Sequence, residues 1–527
     1  MSTRIVLRSV TLALGVLLAL AVLGITQALA TGNSPSQADG PNFDAIDAYV
    51  QGQMKGMRIP GAAVGIVKGD EIVHLESFGD ADDSGREVTS QTPFKIGSTS
   101  KSFTALAIMQ LHEDGKLDLD APVQRYIPWF RVADPEASKH ITVRTLLNQT
   151  SGIPTAAGLT YMYKNDGSKD ALENEVRAAR DVELTHSPGK VYQYSNLNYT
   201  TLGLLVQMVS GQPYEQYVKT HVLAPLDMNN TFMFVPEAER HGLATGHQFW
   251  FGLPFPGGGL HYNRAITPAG LITSDARDMS HYLIAQLNGG RYEGAQVLSA
   301  KGVAQMHRGT ADRGGGSSYA MGWIDAKMDG MPIVEHNGDA GDFHATMILV
   351  PKSKWGVVVL MNGSNDFRQG SLDTPAFGVV ARLVGVESPP SPGPLQEPPM
   401  IIVLAILAVG VLQIFGIVRS VVLVRRWRAQ EARRPHGVVR VGLRVGLPLL
   451  LNLFWAVTLL VFLPPLISLP LQTLVFLDVG VVVLVSGGLA LIWGVVLRPV
   501  LALLALRTKI APGDAGTPEK SRVRVSA

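Results

Sequence analysis

A serine and a lysine lie three residues apart in the stretch PFKIGSTSKSFTALAIMQLHEDGKLDLD, which runs from Pro93 to Asp120. Apolar residues follow at helical spacing and predict a helix that begins near Ser98. Residues three apart share a helix face, so Ser98 and Lys101 are neighbours in its first turn. A hydroxyl beside an amine could serve as nucleophile and base. The pair could equally be an N-cap and a snorkelling lysine. This spacing arises about once by chance in such a chain, so it needs partners.

A nucleophilic serine also requires an activated base and donors for the developing oxyanion. Burial lowers the pKa of a lysine from its ordinary value of about 10.4, which would make Lys101 a base at neutral pH. The N-terminus of a helix carries free N–H groups and the positive end of the helix dipole. The backbone N–H of Ser98 is therefore one candidate oxyanion donor.

A phenol and an amide at fixed spacing occur in SPGKVYQYSNLNYTTLGLLVQMVSG. Tyr194 could pass a proton, and Asn196, two residues later, could bind a substrate carbonyl. Tyr163 and Asn165 have the same spacing. We prefer Tyr194, because its tripeptide follows a Pro-Gly turn and leads straight into a predicted helix.

A third stretch, IVEHNGDAGDFHATMILVP, contains His336-Asn337-Gly338 where the last strands of the domain begin. A glycine at such a point lets a ligand backbone lie against the strand edge. The amide of Asp339 would be the second oxyanion donor. Each of the three stretches has an ordinary structural interpretation when taken alone. All three in this chain order favour an active site.

The chain resembles the penicillin-recognising serine hydrolases, a group of class C β-lactamases, D-alanyl-D-alanine carboxypeptidases and esterases. The resemblance covers roughly Phe43 to Gly385. Its motifs are Ser98-Thr99-Ser100-Lys101, Tyr194-Ser195-Asn196 and His336-Asn337-Gly338, with the flanking stretches IPGAAVGIVKGDEIV, LLNQTSGIP and PAGLITSDARDM.

The resemblance implies an α/β sandwich beside an all-helical lobe, with the active site between them. It implies Ser98 as the acylated nucleophile, Lys101 and Tyr194 as the proton-transfer pair, and Asn196 as a substrate ligand. The segment from His336 to Gly338 would form the opposite wall of the site. No metal and no cofactor are expected.

One position departs from many β-lactamases of this group, which carry lysine where this chain has His336. A fixed positive charge there helps to hold the carboxylate of the ligand. An imidazole with an ordinary pKa of about 6.5 is largely neutral at physiological pH. Efficient β-lactam hydrolysis is therefore less expected than peptidase or esterase activity. The other histidines, including His112 and His344, show no metal-ligand spacing and are interpreted as structural or surface residues.

Composition limits the remaining classes of function. The chain has 527 residues, 46% of them hydrophobic, a net charge of +2 and no cysteine. Disulfides, thiolate metal sites and cysteine nucleophiles are excluded. The small net charge gives no basis for a nucleic-acid partner.

The fold class follows from the order of the predicted elements. A helix from Phe43 precedes two strands, Ala62–Val67 and Glu71–Ser77, which form a hairpin. Helical patterns dominate from Ser98 to about Ser210, and Asp275 caps a further helix. Two strands, ATMILVP and WGVVVLMN, end the domain. This order predicts an α/β (α+β) fold, and the family resemblance implies that it is of the β-lactamase/transpeptidase type. Its antiparallel sheet is closed by the two chain ends and flanked by helices, with a helical lobe.

Residues 1–30 read as a signal peptide: two arginines, an apolar run and Ala28-Leu29-Ala30 before a polar segment. An uncleaved anchor is the alternative. The hydrolase domain would span residues 31–386, and a Pro-rich linker residues 387–399. Three apolar runs within 400–497 predict three transmembrane helices. The arginine-rich segment after the first run places that loop, and the basic tail 498–527, in the cytoplasm.

These observations predict a membrane-tethered serine hydrolase whose catalytic domain lies outside the cell membrane. Its partners would be a small-molecule or peptide substrate, including cell-wall peptides or β-lactams, and membrane lipid. The substrate class is a peptide, amide or ester. Two alternatives stay open: a true β-lactamase, and a sensor or scaffold domain that binds a ligand and is coupled to the membrane helices.

Overall fold

This computed structural model describes residues 41–250, 253–257, 262–364, 369–387, 398–429, 447–462, 485–490 and 493. The chain divides into two compact units, Met1–Asn42 and Phe43–Ala527, and all the elements below belong to the second. The predicted signal peptide and the basic tail lie outside the described residues. So does most of the predicted linker.

The helices and strands are named in chain order. The α-helices are α1 Phe43–Met57, α2 Ser100–Glu113, α3 Pro135–Ser138, α4 Val143–Leu147, α5 Ala171–Ala178, α6 Asn196–Ser210, α7 Tyr214–Val218, α8 Val235–Arg240, α9 Ala276–Leu287, α10 Ala300–His307, α11 Gln369–Leu372, α12 Thr374–Val384, α13 Pro398–Arg428 and α14 Leu447–Val457. The strands are β1 Gly61–Lys68, β2 Glu71–Gly79, β3 Phe94–Lys95, β4 His247–Trp250, β5 Leu253–Pro256, β6 Thr273–Ser274, β7 Arg291–Tyr292, β8 Ala295–Gln296, β9 Ala311–Gly314, β10 Ser317–Tyr319, β11 Ile324–Met328, β12 Met331–Asp339, β13 His344–Val350, β14 Trp355–Met361 and β15 Gly363–Ser364.

An eight-stranded antiparallel sheet forms the centre of the hydrolase domain, in the order β2-β1-β14-β13-β12-β11-β10-β9. The first hairpin of the domain pairs with its last, with Val64 opposite Val359. The prediction that the two chain ends close the sheet is therefore confirmed. Strand β12, which carries the His-Asn-Gly segment, lies between β13 and β11.

The side chains of β14 contribute to two separate hydrophobic cores, because successive side chains of a strand point to opposite faces of the sheet. Val357 and Val359 pack among residues of α1 and α12 on one face. Val358 and Leu360 pack among the side chains of α2, α6 and α9 on the other. Helices therefore cover both faces, as the sequence predicts. Helix α2 packs against α6, and the 3-10 turn Gly97–Thr99 that precedes α2 packs against β12.

The three predicted membrane runs are described only in part. The first lies within α13, and the second contributes α14 and a turn of π-helix at Thr458–Phe462. Most of the third lies outside the described residues. None of the helices in the described ranges is both long and apolar enough to cross a membrane. The membrane-spanning helices therefore stay a prediction.

Candidate active site

Ser98 lies in a tight 3-10 turn, Gly97–Thr99, directly before α2. The sequence predicts a helix that begins near Ser98, and in the structure the 3-10 turn comes first and the α-helix begins at Ser100. The difference arises at Gly97, whose φ of +52° is a left-handed conformation that favours glycine. A Cβ at Gly97 would lie 2.5 Å from the backbone nitrogen of Asp339. The nucleophile turn therefore lies directly against the end of β12, a contact for which glycine is required.

Lys101 is fully buried one turn below the serine. Its Nζ lies 3.0 Å from Ser98 Oγ, 2.8 Å from Asn196 Oδ1 and 2.6 Å from the carbonyl oxygen of Ala269. Burial lowers the pKa of Lys101 well below its ordinary value. The predicted shift of the candidate base is thus present, and its cause is desolvation.

Tyr194 completes the group, because its hydroxyl donates to Ser98 Oγ at 2.7 Å. Its ring packs edge-on against Tyr319 and lies 4.7 Å, centroid to Nζ, from Lys101. Burial raises the pKa of Tyr194 far above its usual range, although the bond to Ser98 opposes this shift. The phenol therefore keeps its proton in the resting site. Of the two tyrosines weighed from the sequence, the preferred one lies at the serine.

Gln149 holds the loop that carries Tyr194, a role that the sequence analysis missed. Its side-chain Oε1 accepts from the backbone N–H of Ser195 at 3.0 Å and from Asn198 Nδ2 at 2.5 Å. Its own carbonyl accepts from the N–H of Gln193 at 2.8 Å. Gln149 is fully buried and has a φ of +58°, which is uncommon for a residue other than glycine. Its position within the family-like stretch LLNQTSGIP was the only signal available.

Asn196 is the first residue of α6 and contacts both the base and the neighbouring loop. Its Oδ1 accepts from Lys101, and its Nδ2 lies 3.3 Å from the carbonyl oxygen of Gly158 and 3.4 Å from Met162 Sδ. The structure thus brings this predicted substrate ligand into the site. In this state its amide orients the lysine.

The opposite wall is the end of β12. A Cβ on Gly338 would lie 2.2 Å from the carbonyl oxygen of Ile96 and 2.6 Å from the backbone nitrogen of Ser98. Only glycine fits between strand and nucleophile turn. The glycine of the His-Asn-Gly segment therefore brings the two backbones together.

The N–H of Asp339 lies on the edge of β12 that faces away from β13. Ala340 donates to the carbonyl of Phe343 at 3.1 Å, and bonded pairs alternate along antiparallel strands. The pair of Asp339 with His344 is therefore a non-bonded one. The pairing of β12 with β11 ends at Glu335, which leaves this edge beyond the ladder. The backbone amides of Ser98 and Asp339 are thus two donors beside the serine hydroxyl.

His336 is buried behind this wall, with 2% of its surface exposed. Its Nδ1 lies 2.5 Å from the carbonyl oxygen of Asn337, and its Nε2 lies 3.2 Å from the hydroxyl of Tyr319. Burial first, and then the charge of Lys101, lower the pKa of His336 to about 3. The sequence analysis expected a largely neutral imidazole from its ordinary pKa alone. In the structure, the lowered pKa makes the imidazole neutral at physiological pH. Tyr319, which the sequence analysis missed, links the imidazole to the ring of Tyr194.

The side chains of Asn337 and Asp339 lie on the other face of the sheet. Asn337 Nδ2 donates to Asp373 at 2.8 Å, and Asp339 Oδ1 accepts from Ser364 at 2.6 Å and contacts His344 at 2.9 Å. These two predicted binding residues therefore face the site through their main chains. His344, interpreted from the sequence as structural or surface, is fully buried.

One group of potential metal ligands occurs among the described residues. Asp47, His74 and Glu76 bring ligand atoms within 4.8 Å of one another. They belong to α1 and β2, and β2 is separated from β12 by three strands. The group takes no part in the serine site.

A serine hydrogen-bonded to a buried amine and to a protonated phenol is an arrangement that can supply a nucleophile, a base and a proton donor. The family model described as Beta-lactamase matches residues 46–377, more than half of the chain. The chain belongs to this family of serine hydrolases and penicillin-binding protein homologues.

Relatives support the same assignment. Protein flp of Staphylococcus aureus strain MW2 is 30% identical over 324 residues, which are 61% of this chain and 63% of that protein. The chain thus matches less than two thirds of that relative's length. Penicillin-binding protein 4 of Amycolatopsis lactamdurans is 30% identical over 350 residues, 64% of this chain and 90% of the relative. The octameric penicillin-binding protein homologue from Pyrococcus abyssi has a similar structure. Its TM-score is 0.57 at 28% identity, over 70% of this chain and 82% of that one.

Proposed function

We propose that this protein hydrolyses a peptide, amide or ester through an acyl-enzyme formed on Ser98. The observation that carries the proposal is the double contact of Ser98 Oγ, 3.0 Å from Lys101 Nζ and 2.7 Å from the Tyr194 hydroxyl. A ligand-binding domain has no need of a nucleophile with a desolvated base. The sensor or scaffold alternative is therefore less well supported.

The contacts of Lys101 are compatible with a neutral amine acting as the resting base, the form that its lowered pKa favours. A neutral amine has two N–H donors and one lone pair. The carbonyl oxygens of Ala269 and Asn196 can only accept, so they use both donors. The lone pair then accepts the Ser98 O–H, and Ser98 Oγ accepts from Tyr194. The directions of both pKa shifts, lowered for Lys101 and raised for Tyr194, agree with this assignment.

Acylation follows from these contacts. Ser98 Oγ attacks the carbonyl carbon while its proton passes to Lys101 Nζ. The carbonyl oxygen becomes an oxyanion that accepts from the backbone N–H groups of Ser98 and Asp339. Tyr194 protonates the leaving nitrogen or oxygen as its bond to carbon breaks, and the proton on Lys101 restores the phenol. Water then attacks the acyl carbon by the same route and regenerates Ser98.

The choice among substrates depends on the wall that carries His336. Its imidazole is buried and neutral, so it supplies no fixed positive charge for a ligand carboxylate. This favours a peptidase or esterase over an efficient β-lactamase. Relatives named penicillin-binding proteins make penicillin the natural covalent probe.

The cellular location is proposed from the sequence alone. The signal-like N-terminus, the three apolar runs and the arginine-rich segment between the first two support a hydrolase domain outside the membrane, tethered by its C-terminal part. Protease treatment of intact cells tests this. Loss of the hydrolase domain with protection of the basic tail supports the topology, and protection of both contradicts it.

A comparison of covalent probes tests the activity. The full-length protein and Ser98→Ala would be incubated with a fluorescent penicillin, a fluorophosphonate and the chromogenic cephalosporin nitrocefin. We expect labelling of the wild type by both probes, none of the variant, and slow nitrocefin turnover. Fast, sustained nitrocefin turnover would instead indicate a true β-lactamase. Ligand binding without any labelling would indicate a sensor.

A further inference from the structure

A buried histidine lies between two carboxylates directly behind the oxyanion edge of β12. His344 Nδ1 lies 2.9 Å from Asp339 Oδ1, and its Nε2 lies 3.0 Å from Asp373 Oδ1. The side chain of His344 is fully buried, whereas those of Asp339 and Asp373 are 13% and 18% exposed. A neutral imidazole has one N–H donor, and here both ring nitrogens face a carboxylate. Nε2 also lies 3.1 Å from Thr346 Oγ1, but the two facing carboxylates favour the doubly protonated, positively charged form.

The charge of the imidazolium is balanced by its partners. Burial by itself would lower the pKa of His344, but Asp339 and Asp373 outweigh this effect and raise it to about 10. A buried charge without partners would cost several kcal/mol or more, so the three groups form one unit. Burial, and then the charge of Asp373, raise the pKa of the neighbouring Glu335 to about 8.

The carboxylate of Asp373 makes its hydrogen bonds within this group of residues. Asp373 precedes α12 in the N-cap position, yet its side chain does not cap the helix. Instead it accepts from His344, from Thr346 Oγ1 at 2.8 Å and from Asn337 Nδ2 at 2.8 Å. Two of these donors belong to β13 and one to β12. The carboxylate thus joins the two strands behind the active site.

The other carboxylate belongs to the residue whose backbone N–H faces the site. Asp339 Oδ1 contacts His344 Nδ1 and accepts from Ser364 Oγ at 2.6 Å. Its N–H lies on the strand edge beside Gly97 and Ser98. Fixing the side chain on one face therefore fixes the direction of the amide at the edge. This matters at a strand end, where the ladder to β11 has already stopped at Glu335.

We propose that His344 is a positioning residue that, bridging Asp339 and Asp373, holds the Asp339 amide at the distance and angle the oxyanion requires. The inference rests on the proposed function, since it assigns a role in the same reaction. It predicts an effect on the transition state, where the oxyanion forms, and little effect on ground-state binding.

The test compares His344→Gln with the wild type in the full-length protein. Kinetics would be measured with p-nitrophenyl acetate, and inhibition with phenylboronic acid, which forms a tetrahedral anionic adduct with an active serine. We expect kcat to fall about 10- to 100-fold. Complete removal of one oxyanion donor typically lowers kcat about 10²- to 10³-fold, so the expected fall is at or below the lower end of that range. KM should change less than about twofold, and boronate inhibition should weaken by a factor similar to the fall in kcat.

His74→Gln is the matched control. His74 Nε2 lies 2.8 Å from Asp47 on the far part of the sheet, so this variant also removes a histidine–carboxylate contact. It should leave kcat and boronate inhibition unchanged. Asp373→Asn, which keeps the shape but removes one charge, gives a second test if His344→Gln does not fold. A smaller fall in kcat at constant KM is expected for it.

The outcomes separate the inference from the proposed function. A folded His344→Gln or Asp373→Asn variant with wild-type kcat and boronate inhibition overturns the positioning role. In that case, labelling of Ser98 in the wild type would still support the hydrolase proposal. A rise in KM alone, or an equal loss in His74→Gln, also overturns it. If the wild type itself neither turns over the ester nor is labelled, the hydrolase proposal and this inference both fall.

Discussion

The Tyr194 hydroxyl lies 2.7 Å from Ser98 Oγ, although the two residues are separated by 96 positions in the chain. The serine belongs to the turn before α2 and the tyrosine to the loop before α6, two helices that pack against each other. Their packing brings the phenol to the nucleophile. The distance therefore depends on the core of the helical lobe and on the loop that Gln149 holds.

Tyr194→Phe removes one hydroxyl and keeps the ring that packs on Tyr319. Because the phenol is the proton donor to the leaving group, the acylation rate should fall about 10²- to 10⁴-fold. Stopped-flow labelling with a fluorescent penicillin measures this rate. Tyr192→Phe is the control, since Tyr192 packs on Tyr319 from two residues earlier and makes no contact with Ser98 among those described. Equal rates for the wild type and Tyr194→Phe would exclude the phenol from proton transfer.

The pH dependence of kcat/KM should show Lys101 as the base. Burial lowers the pKa of the lysine, so activity should rise with pH through one ionisation well below the ordinary lysine value of about 10.4. No step is expected near pH 6.5, because the pKa of His336 is about 3. Tyr194→Phe should keep the rising limb at a lower plateau. A limb that disappears in this variant would instead make the tyrosine the base.

The sequence predicted the sheet, its closure by both chain ends and the Ser98–Lys101–Tyr194 grouping. These features were predictable because the periodicity of apolar residues indicates which face of a strand or helix is buried. The spacing within a motif indicates which residues are neighbours within one helical turn. The sequence did not predict that the side chains of Asn337 and Asp339 face away from the site. Strand alternation fixes which residues share a face, but which face meets α2 depends on the register with β13. The contacts of His344 and Gln149 arise only from tertiary packing.

Gly338→Ala tests the close approach of strand and nucleophile turn. The added Cβ would lie 2.2 Å from the carbonyl oxygen of Ile96 and 2.6 Å from the nitrogen of Ser98, and both are backbone atoms rather than flexible side-chain ends. We expect a destabilisation of about 1–3 kcal/mol by overpacking and loss of most activity. Urea unfolding and ester hydrolysis measure the two effects.

Gly56→Ala is the control for this substitution. Its Cβ would meet nothing within 4 Å on helix α1, so the variant should be more stable by up to about 1 kcal/mol, with unchanged activity. An active, stable Gly338→Ala would show that strand and turn are not in close contact.

The imidazolium of His344 predicts a loss of stability at alkaline pH. Its folded pKa of about 10 lies above the unfolded value of about 6.5. Its contribution is therefore fully present below about pH 6.5 and is lost as the pH rises through 10. Burial raises the pKa of Glu335 to about 8, so this carboxyl group also titrates in the same pH interval. The difference between the wild type and His344→Gln isolates the histidine.

Chemical unfolding at several pH values between 6 and 10.5 measures this difference. We expect the free-energy gap between the two proteins to shrink steadily as the pH rises. A gap that stays constant over the whole interval would mean that His344 is neutral in the folded protein.

Mass spectrometry of the covalent adduct tests the central claim most directly. The full-length protein would be treated with a penicillin or a fluorophosphonate, digested, and the modified peptide sequenced. The account predicts one adduct, on Ser98, that is absent in Ser98→Ala and strongly reduced in Lys101→Met. An adduct on another residue, or equal labelling of Ser98→Ala, would contradict it.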